Sequence, residues 1–270
     1  MQKLHLKYSS PSQQLRHLLL LELSVSVGLK SAVVNPKELA DRINAVHLNA
    51  DAVRAELNKD LGFSPEDRLE QARRMGALSR LLSDQGYHVV VDFINPTAET
   101  RASFGNPDKV VWMNRKPVRD FPDTTAMWET PANPDLMFDD MTEYDVAARV
   151  ACVDFQLHDW RQPTTLMLGR YQPWHEGHHA LYDEAGNRTA QVMLGVRNTY
   201  KTSEKDPLDF NQVKKYIAND SVMDKAMVIK MPNITNIVYG RDVGYKIEQV
   251  DLGAAIHAIS ATEKRREMGL

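Results

Sequence analysis

The chain has 270 residues, of which 43% are hydrophobic and 26% charged, and its formal net charge is -3. This length suffices for two small domains, and so small a net charge gives no general attraction to nucleic acid or to an acidic membrane. We therefore expect a small molecule as partner, and neither nucleic acid nor membrane. The single cysteine, Cys152, excludes an internal disulfide and fits a reducing compartment, so we expect a cytoplasmic protein.

The first 36 residues are the least regular part of the sequence. The apolar run Leu18–Leu21 is followed by Glu22 and is too short to cross a membrane. The segment has neither helical periodicity nor a strand with a recognisable turn after it, so residues 1–36 remain unassigned.

From Pro36 the pattern alternates between helices and strands. Apolar spacing predicts helices over residues 37–43, 50–58 and 65–85, and strands over residues 45–48, 88–94 and 110–113. The strand 88–94 is an apolar run broken only by Asp92, which is typical of a parallel strand covered on both faces. These elements predict an α/β domain over residues 37–145. Residues 114–140 are rich in Pro, Asp and Thr and are predicted to be an irregular tail, and residues 146–163 a linker.

A second α/β domain is predicted over residues 164–270. Its opening strand, helix and strand, at 165–168, 177–186 and 190–196, form a βαβ unit. Further elements are predicted as helices over 213–218 and 261–268 and as strands over 226–231 and 237–239.

The first connection of this second domain reads Gly-Arg-Tyr-Gln-Pro-Trp-His-Glu-Gly-His from Gly169 to His178. Gly177 allows close approach to the unpaired amides at a helix start, where an anionic phosphate binds. His175 and His178 can donate hydrogen bonds to phosphate oxygens in a transition state, and Arg170 can clamp a further phosphate. An isolated histidine pair is more often a solvated surface feature, but its position after a buried strand favours a functional one.

A second phosphate-type motif lies near the C-terminus, where residues 259–265 read Ile-Ser-Ala-Thr-Glu-Lys-Arg. Ser260 can cap the last helix, Thr262 lies in its first turn, and Arg265 projects one turn later. A capping box of Ser260 with Glu263 explains those two residues equally well. It does not explain why this motif accompanies the first one.

Together the two motifs resemble the signatures His-x-Gly-His and Ile-Ser-x-Thr-x-x-Arg of cytidylyltransferases and nicotinamide-nucleotide adenylyltransferases. The resemblance implies a Rossmann-like nucleotidyltransferase domain that moves AMP or CMP from ATP or CTP to a small phosphorylated acceptor, with Mg²⁺ and release of pyrophosphate. It implies catalytic roles for His175, His178 and Arg265. It implies nucleotide binding by the other motif residues, namely Gly169, Arg170, Gln172, Gly177, Ser260 and Thr262. The acceptor and the base stay open; Arg197 and the segment 233–244 are candidate substrate positions.

The first domain carries a different resemblance. Residues 47–54 read His-Leu-Asn-Ala-Asp-Ala-Val-Arg and residues 58–68 read Asn-Lys-Asp-Leu-Gly-Phe-Ser-Pro-Glu-Asp-Arg, and both stretches resemble adenylylsulfate kinase. This implies a P-loop-kinase-like parallel sheet with an acceptor site that contains Asp51, Arg54, Asn58 and Arg68. Such a kinase needs a loop of the form Gly-x-x-x-x-Gly-Lys-Ser/Thr to hold the ATP phosphates. The sequence contains no such loop, and Gly28-Leu29-Lys30-Ser31 lacks its spacing.

Our preferred interpretation is an α/β enzyme of two domains, a nucleotidyltransferase joined to a degenerate kinase. The alternative is a kinase that uses ATP to phosphorylate adenylylsulfate or a related small molecule. A third possibility is a nucleotide sensor without turnover. The sequence identifies no protein ligands for a metal, and it leaves open whether the chain forms a homo-oligomer.

Overall fold

A computed structural model describes residues 17–22, 36–114, 122–139, 142–200, 203–220, 226–241, 244–267 and 269. The chain divides into two compact units, with the division between Arg161 and Gln162. Among the described residues no helix is long and apolar enough to cross a membrane.

The first unit is built on a parallel sheet. Its described strands are β1 (His17–Glu22), β2 (Val46–Asn49), β3 (Val89–Phe93), β4 (Lys109–Asn114) and β5 (Leu136–Asp139), in the order β2-β3-β1-β4-β5. All of the neighbouring pairs are parallel. Every residue of β3 is buried, which confirms the parallel strand predicted from its apolar run.

Helices cover both faces of this sheet. They are α1 (Pro36–Arg42), α2 (Ala50–Glu56), α3 (Pro65–Asp84), α4 (Ala98–Phe104), α5 (Pro122–Ala126) and α6 (Tyr144–Asp154). One core joins α1 and α6 to the sheet through residues such as Leu39, Val90 and Ala151. The other joins α3 and α4 to the opposite face through residues such as Met75 and Phe104. The α/β class predicted for this half of the chain is therefore confirmed.

Two of the predicted helix starts are fixed by local capping. The side chain of Asn49 accepts a hydrogen bond from the backbone N–H of Ala52 at 3.0 Å. Ser64 and Asp67 form a reciprocal capping box at the start of α3. Such caps satisfy backbone donors that a helix leaves unpaired at its first turn, and this is why the sequence locates these starts well.

The sequence predicts no element within residues 1–36, and the structure corrects this. The strand β1 lies within that segment, between β3 and β4, and Leu19 pairs with both Val91 and Val110. The sequence has no recognisable turn after this strand, and its place in the sheet depends on pairing with β3 and β4. Residues 23–35, including Gly28-Leu29-Lys30-Ser31, lie outside the described part of the chain.

The irregular tail predicted over 114–140 and the linker predicted over 146–163 are also wrong. Strand β5 extends the sheet, and its Phe138 is buried. Helix α6 packs into the core beside α1. The buried guanidinium of Arg42 in α1 pairs with Asp145 and, at 2.7 Å, with Asp159. The pair with Asp159 joins the segment predicted as a linker to the first unit.

The second unit contains another parallel sheet. Its described strands are β6 (Thr164–Gly169), β7 (Gln191–Arg197) and β8 (Ala226–Met231), in that order. Its helices are α7 (Glu176–Gly186), α8 (Phe210–Ala218), α9 (Ala254–His257) and α10 (Ala261–Glu267). One core joins α7 and α8 to the sheet, with Tyr182, Leu194 and Ile217 among its buried side chains. The βαβ opening predicted from the sequence is present.

The strand predicted over residues 237–239 is absent from this unit, although the segment is described. Ile237, Val238 and Tyr239 are 60%, 89% and 57% exposed, and the segment pairs with no strand. Their composition favours a strand, but strand formation depends on packing against neighbours that this segment lacks.

Candidate functional site

The loop between β6 and α7 is held by aromatic packing around Tyr171. This residue has a left-handed backbone with φ of 49°, and its hydroxyl donates to the carbonyl oxygen of Met167 at 2.9 Å. A Cβ atom on Gly169 would lie 2.8 Å from the Tyr171 ring, so only glycine fits there. Gly169 therefore makes room for the aromatic ring of Tyr171. This packing explains the glycine without a bound nucleotide.

The two motif histidines form the start of α7. His175 is the N-cap residue, and its Nδ1 accepts from the backbone N–H of Gly177 at 3.1 Å. The backbone N–H of His175 in turn donates to Nδ1 of His178 at 3.3 Å. Because each Nδ1 accepts a hydrogen bond, the ring proton of each neutral imidazole lies on Nε2. Both rings thus keep an Nε2–H donor for a ligand.

The surroundings of this pair favour the neutral imidazole. Burial, and then the neighbouring His175, lower the pKa of His178 from 6.5 to about 3. Burial is also the main cause that lowers the pKa of His175. The two rings stack with centroids 3.8 Å apart, so a charge on one opposes a charge on the other. At neutral pH the pair supplies hydrogen-bond donors and no formal charge.

The second motif meets the first in the fold. Arg265 of α10 donates from Nη1 to the carbonyl oxygen of Gln172 at 2.6 Å and from Nη2 to Oγ1 of Thr262 at 3.0 Å. Ser260 accepts at Oγ from the backbone N–H of Thr262 at 3.2 Å. Next to Arg265 on the helix, Lys264 pairs with Glu176 in the first turn of α7 at 3.4 Å. Two segments more than eighty residues apart in sequence therefore form one polar surface.

Two of the predicted nucleotide contacts have other partners. Gln172 is buried; its side chain donates to the carbonyl oxygen of Leu208 at 2.8 Å and accepts from the N–H of Leu208 at 2.9 Å. These two hydrogen bonds give the Gln172 side chain a structural role, and its nucleotide-binding role stays a prediction. Arg170 pairs with Asp206 at 3.1 Å but stays 46% exposed, so its guanidinium can still reach a ligand.

The sequence did not point to a polar network behind the histidines. The indole Nε1 of Trp174 donates to Oδ2 of Asp220 at 2.7 Å, and Nδ1 of His179 lies 2.8 Å from Oδ1 of the same carboxylate. The Trp174 ring lies 5.4 Å from the His178 ring, measured between centroids. Asp220 follows α8, and no local pattern links it to the histidine motif.

In the first unit, two of the predicted acceptor-site residues flank one aromatic ring. The guanidinium carbon of Arg54 lies 4.8 Å, and that of Arg68 5.7 Å, from the ring centre of Phe63, whose side chain is 67% exposed. Arg68 also donates to Oγ1 of Thr124 at 3.1 Å. Burial lowers the pKa of both arginines, and Arg68 adds to the lowering for Arg54. Two partly buried cations beside an exposed ring suit an anionic ligand that carries a flat group.

The other two predicted acceptor residues lie differently. Asp51 is exposed in the first turn of α2. Asn58 is buried; it donates to Oε1 of Gln71 at 2.8 Å and accepts from Arg74 at 3.3 Å. These two hydrogen bonds join the buried Asn58 amide to α3, and the acceptor role of Asn58 stays a prediction.

The described residues offer few protein ligands for a metal. Within the described residues no three His, Cys, Asp or Glu side chains cluster to hold an ion. Two carboxylates near the motif loop, those of Glu176 and Asp206, are paired with Lys264 and Arg170. Such an arrangement fits Mg²⁺ that binds mainly through substrate phosphates, the usual mode for this ion.

Comparisons with known proteins find similarity to adenylylsulfate kinases. The family model described as adenylylsulphate kinase matches residues 24–109. The adenylyl-sulfate kinase of Staphylococcus carnosus is 45% identical over 78 residues, which cover 29% of this chain and 37% of that protein. The enzyme of Oceanobacillus iheyensis is 53% identical over 55 residues, covering 20% and 28%. A solved structure titled as the Mycobacterium tuberculosis APS kinase CysC in complex with AMPPNP and APS gives a TM-score of 0.42 at 23% identity, over 53% of this chain and 99% of that one.

The family match and the sequence relatives cover only part of the chain. Residues 24–109 are adenylylsulfate kinase-like, and the similarity begins before residue 37, where the sequence analysis placed the domain start. The match spans 37% and 28% of the lengths of these two curated relatives. The family match ends at residue 109 and does not reach the histidine motif.

Proposed function

We propose that the first unit binds a nucleotide-like anionic acceptor and phosphorylates it, the activity for which its adenylyl-sulfate kinase relatives are named. The observation that carries this proposal is the pair of arginines beside Phe63, inside the kinase-like stretch 24–109. A guanidinium pair can neutralise a sulfate or phosphate group while the exposed ring stacks on a base. The sequence has no glycine-rich loop of the usual form, so ATP binding has to be measured separately from turnover.

The test is ADP formation by the full chain from ATP with adenylylsulfate. We expect Arg68→Met to weaken acceptor binding roughly tenfold or more, because a charge-assisted contact is lost. Arg73→Met is the matched control, since Arg73 lies on the same helix but is exposed and paired with Glu70. If the wild-type chain forms no ADP while it binds ATP and adenylylsulfate, the unit is a binding module; if it binds neither, the proposal fails.

The second unit supports a second activity, transfer of AMP or CMP to a small phosphorylated acceptor. The hydrogen bond from Arg265 to the carbonyl oxygen of Gln172 favours it, because it joins the two motifs that such a transferase uses on one triphosphate. In this reaction an acceptor phosphate oxygen attacks the α-phosphorus. The new P–O bond forms as the bond to the β-phosphate oxygen breaks, and pyrophosphate leaves. When bound, Mg²⁺ would neutralise charge on the triphosphate.

The protein groups would act by position and by donated hydrogen bonds. The Nε2–H groups of His175 and His178 face no partner among the described residues and can stabilise charge on the phosphate oxygens in the transition state. Arg265 is held in place by two hydrogen bonds, so little rotational freedom is lost when it binds a phosphate. No covalent intermediate with the protein is required.

Pyrophosphate release tests this activity. The full chain is supplied with ATP or CTP and a panel of sugar phosphates, polyol phosphates and nicotinamide mononucleotide. We expect release that depends on one acceptor, and a loss of about 100-fold or more with His175→Ala or His178→Ala. Full activity in both histidine variants would refute the assignment. ADP formation without pyrophosphate would leave the kinase as the activity of the chain.

A further inference from the structure

Two side chains at the end of β7 carry buried polar atoms without partners. Nε of Arg197 and Oγ1 of Thr199 are shielded from solvent and form no hydrogen bond. Thr199 is 8% exposed. Positions 197 and 199 are two apart along a chain that is leaving a strand, a spacing that favours the same side. An unsatisfied buried polar atom is costly, so a ligand that pairs with these two would be favoured.

Arg197 also lacks an ionic partner within the described part of the chain. Its Nη2 donates to Oδ1 of the neutral Asn233 at 2.9 Å, and no carboxylate pairs with it. Two other arginines of this unit are neutralised by carboxylates: Arg170 pairs with Asp206, and Arg188 pairs with Glu184 and Glu248. A partly buried guanidinium without a carboxylate can accept an anion.

The position of this pair suits a substrate. Ligands of parallel α/β sheets bind beyond the carboxyl ends of the strands. Strand β7 lies next to β6, and Val196 pairs with Gly169, the last residue before the motif loop. Arg197 thus stands in register with the start of the loop that carries Arg170 and the histidines. A molecule bound there would lie beside the nucleotide that we propose for the loop.

We propose that Arg197 and Thr199 bind the phosphate group of the acceptor in the second unit. The proposal rests on the transferase activity proposed above and assigns its second subsite. A guanidinium fork and a hydroxyl suit the oxygens of a phosphate monoester. Asn233 holds the guanidinium through Nη2 and leaves its other donors for the ligand. The loop motif would hold the triphosphate and the end of β7 the attacking phosphate.

Calorimetric titration of the full chain with inorganic phosphate tests the subsite, with a saturating non-hydrolysable analogue of ATP already present. Arg197→Gln and Thr199→Val should each weaken one class of phosphate sites by about tenfold or more. Arg188→Gln is the control, because Arg188 lies in the same unit but is paired with two glutamates. Phosphate binding that is unchanged in both test variants overturns the proposal.

A second titration separates this proposal from the transferase itself. Arg197→Gln should leave the affinity for ATP and CTP unchanged. His178→Ala should instead weaken nucleotide binding and leave phosphate binding unchanged. If Arg197→Gln weakens nucleotide binding instead, Arg197 belongs to the triphosphate site and the proposed acceptor subsite is wrong. Phosphate binding that depends on Arg197 supports the subsite even if no acceptor gives pyrophosphate, in which case only the transferase activity fails. Melting curves of each variant check that the unit is folded, and Arg197→Lys, which keeps the charge, serves if Arg197→Gln unfolds.

Discussion

Trp174 donates a hydrogen bond from its indole Nε1 to Oδ2 of Asp220 at 2.7 Å, and this bond connects the end of α8 to the histidine motif. The other carboxylate oxygen lies 2.8 Å from Nδ1 of His179. With both oxygens engaged, Asp220 fixes the Trp174 ring, which packs 5.4 Å from His178. We therefore predict that Asp220 positions the His178 donor.

Removing this carboxylate should impair turnover more than nucleotide binding. We expect Asp220→Ala to lower kcat for pyrophosphate release about tenfold, because His178 loses its fixed neighbour while the phosphate contacts remain. Trp174→Phe loses the N–H donor and also part of the buried aromatic side chain, so it should lower kcat at least as much. Asp183→Ala is the control, since Asp183 also approaches His179, at 3.5 Å, but is 68% exposed. Equal losses in Asp220→Ala and Asp183→Ala would contradict a positioning role.

The stability of the second unit should fall in acid because of His178. Its folded pKa of about 3 lies below the ordinary value of 6.5, so the unfolded chain binds more protons between these pH values. The neutral ring's contribution to stability is thus fully present above pH 6.5 and is lost as the pH falls towards 3. In urea unfolding at pH 7, 5 and 4, the free energy of unfolding should depend less steeply on pH in His178→Gln than in the wild type. His88→Gln, in the first unit, is the control; an unchanged dependence in His178→Gln would refute the cause.

Arg42 should be among the most sensitive positions of the first unit. Its side chain is 4% exposed and pairs with Glu38, Asp145 and Asp159. Arg42→Met removes the cation that neutralises the buried carboxylate of Asp159, so we expect a loss of about 3–5 kcal/mol in the free energy of unfolding. Lys37→Met, which removes an exposed pair with Asp41 on the same helix, should cost about 0.5 kcal/mol or less. Urea unfolding of both variants gives the comparison, and equal losses would contradict the buried network.

The same network shows why part of the fold was unreadable from the sequence. Helix starts at Asn49 and Ser64 depend on groups within three residues, so local pattern identifies them. Arg42 and Asp159 are 117 positions apart, and no local pattern shows that they meet. The segment that contains Asp159 was therefore predicted to be a linker. Strand β1 was missed for a related reason, because its place in the sheet depends on β3 and β4.

The candidate sites divide in a similar way. The two motifs of the second unit were recognised from spacing, and the structure brings Arg265 to the loop of the first motif. The sequence could not distinguish a side chain that faces a ligand from one that holds the loop. Gln172 and Asn58 illustrate this, since partners distant in sequence form hydrogen bonds with both ends of their amides. Residue type alone gives no sign of such partners.

The geometry of Arg265 makes a charge-conserving substitution informative. Its two terminal nitrogens are spread between the carbonyl oxygen of Gln172 and Oγ1 of Thr262, which a lysine ammonium cannot bridge in the same way. Arg265→Lys should therefore weaken ATP or CTP binding about tenfold and slow pyrophosphate release, although the net charge is unchanged. Arg266→Lys is the matched control, because Arg266 is the next residue on α10 and is exposed. Calorimetry with each nucleotide measures the change. If both variants bind like the wild type, the planar fork does not matter and Arg265 acts as a simple positive charge; if both weaken alike, the effect belongs to the helix surface and not to Arg265.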